Sequence, residues 1–403
     1  MSMIGNAQKL IRSDGRPARI AVVHEWFDHF YGSERVAAEI LACFPSADVF
    51  TLVDIMTGED RCFLDGKKVT TSFIQRLPFG RSKRFRHYLP LFPLAIEQFD
   101  LSGYDLVLSS SHAVAKGVLT GPNQLHIAYV HTPMRYAWEL QHDYLRQSGL
   151  DRGIKGALAR YLLHRLRLWD LRTVNGVDRF IANSAYVAGR IGKTYRRDCV
   201  VIHPPVDVDR FAPDAQKQDH YLAVSRFVPY KHTETIVDAF IGMPDRRLTV
   251  IGDGPGLKAA KARATPNITF LPPQPFETLE RKMRQAKAFI FAPEEDFGIT
   301  PVEAQAAGTP VIAFGAGGVL ETVRDLDRPK PTGLFFDAQT PEAIQKAVHR
   351  FEREGDVITA AHCRSNAERF ATPNFQKRYV QLVTEAWHST GGRFEGMDKS
   401  KVA

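Results

Sequence analysis

Cysteine is scarce in this 403-residue chain, and Cys43, Cys62, Cys199 and Cys363 stand far apart without a C-x-x-C pair. That spacing argues against a structural zinc or disulfide framework, so reduced thiols in a cytoplasmic setting are the expectation. Long apolar runs are missing too, and no segment reads as a bilayer span. Residues 1–18 are polar, carry Lys9, Arg12 and Arg16, and lead into no apolar core of the signal-peptide kind; they read as a flexible tail. There is no short internal repeat and no nucleic-acid-binding motif. Acidic residues are absent from two stretches, 67–93 and 152–169, within a chain of net charge +8.

What remains is ordinary globular material, 44% hydrophobic and 24% charged, long enough for two domains that each bury a core. Arg19–Val23 is rich in β-branched residues and reads as a first strand. Strands are also expected at 49–53, 106–109, 127–130 and 179–182, with helical or irregular segments between them. A second series is expected at 221–225, 247–251, 268–271, 288–291 and 310–314, with helices at 234–241, 276–285 and from about Pro301. The alternation predicts two α/β units with mainly parallel, doubly wound sheets. The Pro204-Pro205 pair breaks regular structure and sets the boundary. The expected domains are 19–205 and 206–374, then a helix at 375–390 returning to the first domain and a flexible tail at 391–403. Neither first strand leads into G-x-G-x-x-G, which counts against an NAD-dependent oxidoreductase.

In such sheets ligands bind beyond the carboxyl ends of the strands. There the segment from Ala292 to Ile312 places an acidic, glycine-containing turn before a helix. The N–H groups of Gly298, Ile299 and Thr300 would face an anion at the helix N-terminus, while Glu295 and Glu303 would accept hydrogen bonds from sugar hydroxyls. Thr300-Pro-Val-Glu303 is equally a good capping box, so both readings stand for Glu303. Arg226, at a strand end, and Lys231, before a helix, form a cation pair suited to a diphosphate; in isolation they read as a solvated loop. Gly254, in Gly252-Asp-Gly-Pro-Gly256, allows backbone to approach a nucleotide or serves a plain turn.

The run Glu295-Asp-Phe-Gly-Ile-Thr-Pro-Val-Glu303 resembles the E-x7-E signature of glycosyltransferase family four, retaining enzymes of the GT-B fold. The likeness continues through Gly308–Ile312 and Gly317–Val323. It implies two Rossmann-like domains facing across a cleft and a nucleotide-sugar donor used as a substrate without cofactor or metal. It gives Glu295 to the transferred sugar, Glu303 to the ribose, Phe297, Gly298 and Ile299 to the distal phosphate, and Arg226 and Lys231 to the diphosphate. His131, at a strand end in His131-Thr-Pro-Met-Arg135-Tyr, would take the donor-contacting histidine's place; alone it reads as structural. That stretch, with His142-Asp-Tyr-Leu145, resembles bacterial GDP-mannose-dependent mannosyltransferases of polysaccharide assembly. Gly32 fills one of two positions where that subgroup has adjacent glycines, and Tyr31 fills the other.

Possible acceptor contacts are His112, Lys116 and Arg135; for the Ser109–His112 cluster with Lys116, helix capping is the competing reading. The acid-free stretch 67–93 has seven Lys or Arg residues, among them Arg81, Lys83, Arg84 and Arg86, interleaved with aromatics. In the second stretch Leu158, Leu162, Leu166 and Trp169 share one helical face. Both suit either a solvated basic face or docking at an anionic membrane surface. The expected protein is thus a retaining hexosyltransferase, peripheral on the inner face of the cell membrane, moving mannose from GDP-mannose to a polyprenyl-diphosphate-linked glycan in surface or exopolysaccharide synthesis. A UDP- or other GDP-sugar donor, or a non-catalytic nucleotide-sugar-binding or assembly protein, are the alternatives. Nucleic acid is not an expected partner.

Overall fold

A computed structural model describes residues 10–213 and 216–394. The described chain divides into two compact units, one running through Ile202 and resuming at Gln376, the other His203–Phe375. Each unit is built on a wholly parallel sheet. In the first, β1 (Ile20–His24), β2 (Asp48–Thr51), β3 (Val69–Thr71), β4 (Leu106–Ser111), β5 (Leu125–Val130), β6 (Arg179–Ala182) and β7 (Cys199–Val201) lie in the order 3-2-1-4-5-6-7. Every residue of β1, β4 and β5 is buried, as expected of strands covered on both faces, which therefore read as unbroken apolar runs. Register is fixed by pairs such as Val22 with Val49 on one side and Leu108 on the other.

In the second unit, β8 (Tyr221–Val224), β9 (Leu248–Ile251), β10 (Ile268–Leu271), β11 (Ala288–Phe291), β12 (Val311–Phe314) and β13 (Gly333–Phe336) lie in the order 10-9-8-11-12-13. The order reverses beside β1 in the first sheet and beside β8 in the second. These switch points open crevices at the carboxyl ends of β1 and β4, and of β8 and β11. Three strands were not foreseen. β3 and β7 are three-residue edge strands with no fully buried position, and β13 opens on a glycine.

Residues 10–18, expected in a flexible tail, instead form a small turn closed by an Ile11–Pro17 bridge. Leu10 is buried, and Trp387 Nε1 donates to the Ile11 carbonyl at 3.2 Å. One apolar side chain and one indole partner thus anchor a polar segment. The last helix, Thr372–Phe394, packs from Gln376 onward in the first unit through Tyr379 against Phe44 and Gln376 on Glu39. Residues 1–9 and 395–403 of the two expected tails lie outside the described residues. No described helix is long and apolar enough to cross a membrane.

Candidate functional site

Four loops meet the carboxyl edge of the second sheet, after β8, β9, β11 and β12. Arg226 follows β8, and its side chain is two-thirds exposed, 3.8 Å from Asp253 in the loop after β9. Those two loops are stitched by Phe227 N–H to the Asp253 carbonyl (2.7 Å) and Gly256 N–H to the Phe227 carbonyl (3.2 Å). Glycine is required for so close an approach: a Cβ at Gly254 would lie 2.7 Å from the Phe227 carbonyl oxygen, and φ there is +134°. The glycines after β9 therefore hold the Arg226 loop in place. Lys231 closes a 3-10 turn (Pro229–Lys231) before the helix Thr233–Ile241, and its ammonium is paired with Glu295. Burial alone would lower the Lys231 pKa, but the charge and hydrogen bond of Glu295 outweigh it and hold it above its ordinary value.

Glu295 is fixed from behind by the loop after β12. It forms an isolated parallel bridge with Gly317, and its carbonyl accepts from Gly318 N–H at 2.8 Å. Cβ atoms at these glycines would fall 2.5 Å from the Glu295 carbonyl oxygen and 2.4 Å from that of Asp296. The Phe297 ring is buried beside His203 and Phe370, with centroids 5.5 and 5.4 Å away. Only its backbone is left for a ligand. His203 in turn meets Glu321 at 2.9 Å. These supports were only partly visible in the sequence, because His203 lies ninety-four residues from the turn it braces.

The helix after that turn begins earlier than expected, at Ile299, and runs to Ala306 with Gly298 as N-cap at φ +85°. No side chain caps it, so the capping-box reading of Thr300 and Glu303 is corrected: both residues lie inside the first turns. The early start follows from the left-handed Gly298, which turns the chain two residues sooner than Pro301 would. The free N–H end of the helix thus falls at Gly298–Thr300, beside the Lys231–Glu295 pair. Glu303 is buried.

In the first unit the loops after β1, β4 and β5 converge. His131 follows β5 and bonds Ser110 Oγ through Nε2 at 2.9 Å. Burial, assisted by the neighbouring His112 and His24, pushes its pKa well down, so the ring is neutral near pH 7. Glu25, directly after β1, was not foreseen as important. Its fully buried carboxylate accepts from the N–H groups of His112, Ala113, Val114 and Ala115 at 2.8–3.0 Å and from Ser111 Oγ at 3.1 Å. The loop after β4 therefore spends its donors on this chain's own carboxylate.

His112 packs edge-on against Trp26 at 4.7 Å. Lys116, expected at an acceptor, is instead 2% exposed and pairs with Asp170 at 2.6 Å. It also donates to Thr173 Oγ1 at 2.6 Å. An ammonium so enclosed holds the loop onto the helix Gly153–Thr173 and reaches no ligand. Arg135 lies 3.4 Å from Glu139. Gly32 begins the helix Gly32–Cys43, and Tyr31 N–H donates to Glu34 at 3.2 Å. Burial alone would raise the Glu34 carboxyl, but the adjacent His24 imidazole, 3.6 Å away, outweighs it and holds Glu34 at about 2.

Among the cations of 81–86, Arg86 bonds Asp28 at 2.6 Å and Arg84 lies over the Phe79 ring. On the helix Gly153–Thr173 the expected apolar face is split: Leu166 is buried and Leu158 is exposed. Among the described residues no cluster of His, Cys, Asp or Glu is arranged to hold a metal ion.

Residues 30–210 match the model of Glycosyltransferase Family 4, and residues 207–370 match that of glycosyl transferases group 1. Together the two matches span residues 30–370. Among curated proteins it is similar to a D-inositol 3-phosphate glycosyltransferase of Streptomyces scabiei, 28% identical over 255 residues, 54% of this chain and 56% of that protein. The protein of the same name from Mycobacterium sp. (strain JLS) is 33% identical over 182 residues, 39% of this chain and 41% of that protein. The matched stretch thus spans about half the length of these relatives. Among solved structures, sucrose-phosphate synthase from Thermosynechococcus elongatus aligns over 92% of this chain and 100% of its own, at 16% identity and TM-score 0.69. Anabaena HepE, solved in complex with UDP, aligns over 91% of this chain and 100% of its own, at 15% identity and TM-score 0.64. These likenesses fix the architecture as two Rossmann-like domains of the GT-B type.

Proposed function

We propose that this chain transfers a hexose from a nucleoside diphosphate sugar to an acceptor hydroxyl with retention of configuration. The observation that carries the reading is the Lys231–Glu295 pair beside an uncapped helix N-terminus, at the switch point of the second sheet. The diphosphate lies against the Gly298–Thr300 amides, with Arg226 and Lys231 neutralising its charge. Glu295 holds the sugar, Glu303 the ribose, and the Gly254 loop flanks the nucleotide. The acceptor oxygen bonds to the anomeric carbon as the bond to the phosphate oxygen breaks, and the acceptor proton passes to that leaving phosphate. His131, neutral and held by Ser110, donates a hydrogen bond to the sugar or its phosphate, with Gly32 allowing backbone close by.

For the donor we favour GDP-mannose and for the acceptor a lipid-linked glycan at the inner membrane face, with Arg135 and the cations Arg81, Lys83, Arg84 and Arg86 on that side; His112 stays a weaker acceptor contact. The support is the likeness of the 131–145 stretch to mannosyltransferases of polysaccharide assembly. A second reading takes a UDP-sugar, since HepE was solved with UDP and with UDP-glucose, and a phosphorylated inositol acceptor, after the names of the curated relatives. Incubation with GDP-mannose, UDP-glucose and other nucleotide sugars, reading nucleoside diphosphate release with EDTA present, tests this. Release from GDP-mannose supports the first reading and release from a UDP-sugar the second. No release or protection by any of them, with or without acceptor lipid or inositol phosphate, rejects the transferase reading.

A further inference from the structure

The first unit contains an apolar cavity of about 480 Å³ that none of the site residues line. Its walls are the 3-10 helix Lys83–Leu91 with Pro93, the segment Tyr136–Leu150, and the helix Gly153–Thr173. Leu89, Tyr144, Ala159, Leu162, Leu163 and Trp169 are among the lining side chains, and no acid is. Tyr136 also lines it, and its hydroxyl is buried without a hydrogen-bond partner.

Charge is distributed unevenly around this cavity. Arg165 stands on its lining. Lys83 and Arg84 begin one wall helix, and Arg152 and Lys155 lie at the start of the other. Acids nearby are already engaged: Asp170 by Lys116, Glu97 by Arg172 and Trp169, Asp143 by Arg146, and Asp151 by Arg152 itself. Along the helix, exposed Ile154, Leu158, Tyr161 and Leu168 recur at intervals of four, three and seven residues and adjoin the face of Leu162 and Trp169. Leu91 and Leu94 are exposed beyond the other wall. An apolar slot with no acid in its lining, and with Arg165 on it, complements a molecule with one hydrocarbon chain and one phosphate end.

We propose that this cavity binds the hydrocarbon chain of a phosphate-bearing lipid, with Arg165 and its neighbouring cations at the phosphate, and so selects the lipid portion of the acceptor. The inference rests on the lipid-linked reading of the acceptor and adds the residues that read the lipid. Binding is measured without any transfer, so its failure is distinct from failure of the donor chemistry.

The test titrates the full chain with octyl, decyl and dodecyl phosphate, each below its micelle concentration, by calorimetry. Affinity should rise about fourfold for each methylene added. Ala159→Trp, which fills the slot, should lower dodecyl phosphate affinity at least tenfold. Arg165→Glu should weaken dodecyl phosphate severalfold and leave dodecanol unchanged. Unchanged GDP or UDP binding and an unchanged circular dichroism melt show that both variants fold. Dodecanol binding as tightly as dodecyl phosphate, an affinity indifferent to chain length, or full binding by Ala159→Trp overturns the proposal. So does sedimentation with phosphatidylglycerol vesicles in the absence of any alkyl phosphate binding, which would make the surface a bilayer contact.

Discussion

Replacing Gly318 by alanine should damage the donor site although Gly318 itself is assigned no contact with the donor. Its φ of −67° suits any residue, so the effect is purely one of space. The added Cβ would lie 2.4 Å from the Asp296 carbonyl oxygen, 2.5 Å from Phe297 Cα and 2.7 Å from the Asp296 carbonyl carbon. All three atoms are backbone, so no side chain can swing aside, and the turn carrying Glu295 must move by the better part of an ångström. Overpacking of this kind costs about 1–3 kcal/mol of stability. A reacting group displaced by about 1 Å loses on the order of a hundredfold in rate. Donor turnover by Gly318→Ala should therefore fall about a hundredfold while the urea midpoint falls modestly. Gly192→Ala, where a Cβ meets nothing within 4 Å, is the control and should retain full turnover. Turnover by Gly318→Ala within a factor of three of wild type would refute the claim that the loop after β12 sets the position of Glu295.

Asp170→Asn should cost about 3–5 kcal/mol in urea unfolding, because it leaves the Lys116 ammonium buried beside a neutral partner. The double variant Lys116→Met with Asp170→Asn should recover part of that loss. Glu25→Ala strands four backbone N–H groups, three of them buried, and should cost more than about 4 kcal/mol; a loss under about 1 kcal/mol would mean the loop after β4 finds other acceptors. Glu34 has a folded pKa of about 2 against an ordinary 4.5, so its stabilisation is present above pH 4.5 and is lost as pH falls toward 2. Wild type should lose about 3 kcal/mol more than Glu34→Gln over that window, read as unfolding midpoints at successive pH values.

Central strands were legible because full burial leaves a direct mark. β11 stands where its apolar run does, at Ala288–Phe291, and β1 and β9 fall within one residue of theirs, at Ile20–His24 and Leu248–Ile251. The three-residue edge strands leave little: β3 reads Val-Thr-Thr and is only partly covered. The helix Ile299–Ala306 was misjudged at its start because Pro301 and the Thr300–Glu303 spacing imitate a capping signal, whereas the left-handed Gly298 decides the geometry. Lys231 and Glu295, sixty-four residues apart, were singled out from local chemistry and are paired in the fold. Lys116 shows the opposite case. Its partner Asp170 lies on a helix fifty-four residues later, and nothing near Lys116 in the chain announces that it is buried. Support residues such as Glu25 and His203 act through backbone and ring contacts that no spacing rule exposes.

The central claim is that Lys231, paired with Glu295, serves a diphosphate. Calorimetric titration of GDP and UDP into wild type and Lys231→Met, with EDTA present, tests it most directly. The account predicts that wild type binds at least one of the two nucleotides without added metal. Lys231→Met should bind the same nucleotide at least tenfold more weakly while keeping the wild-type circular dichroism spectrum. Equal dissociation constants for the two proteins would contradict it.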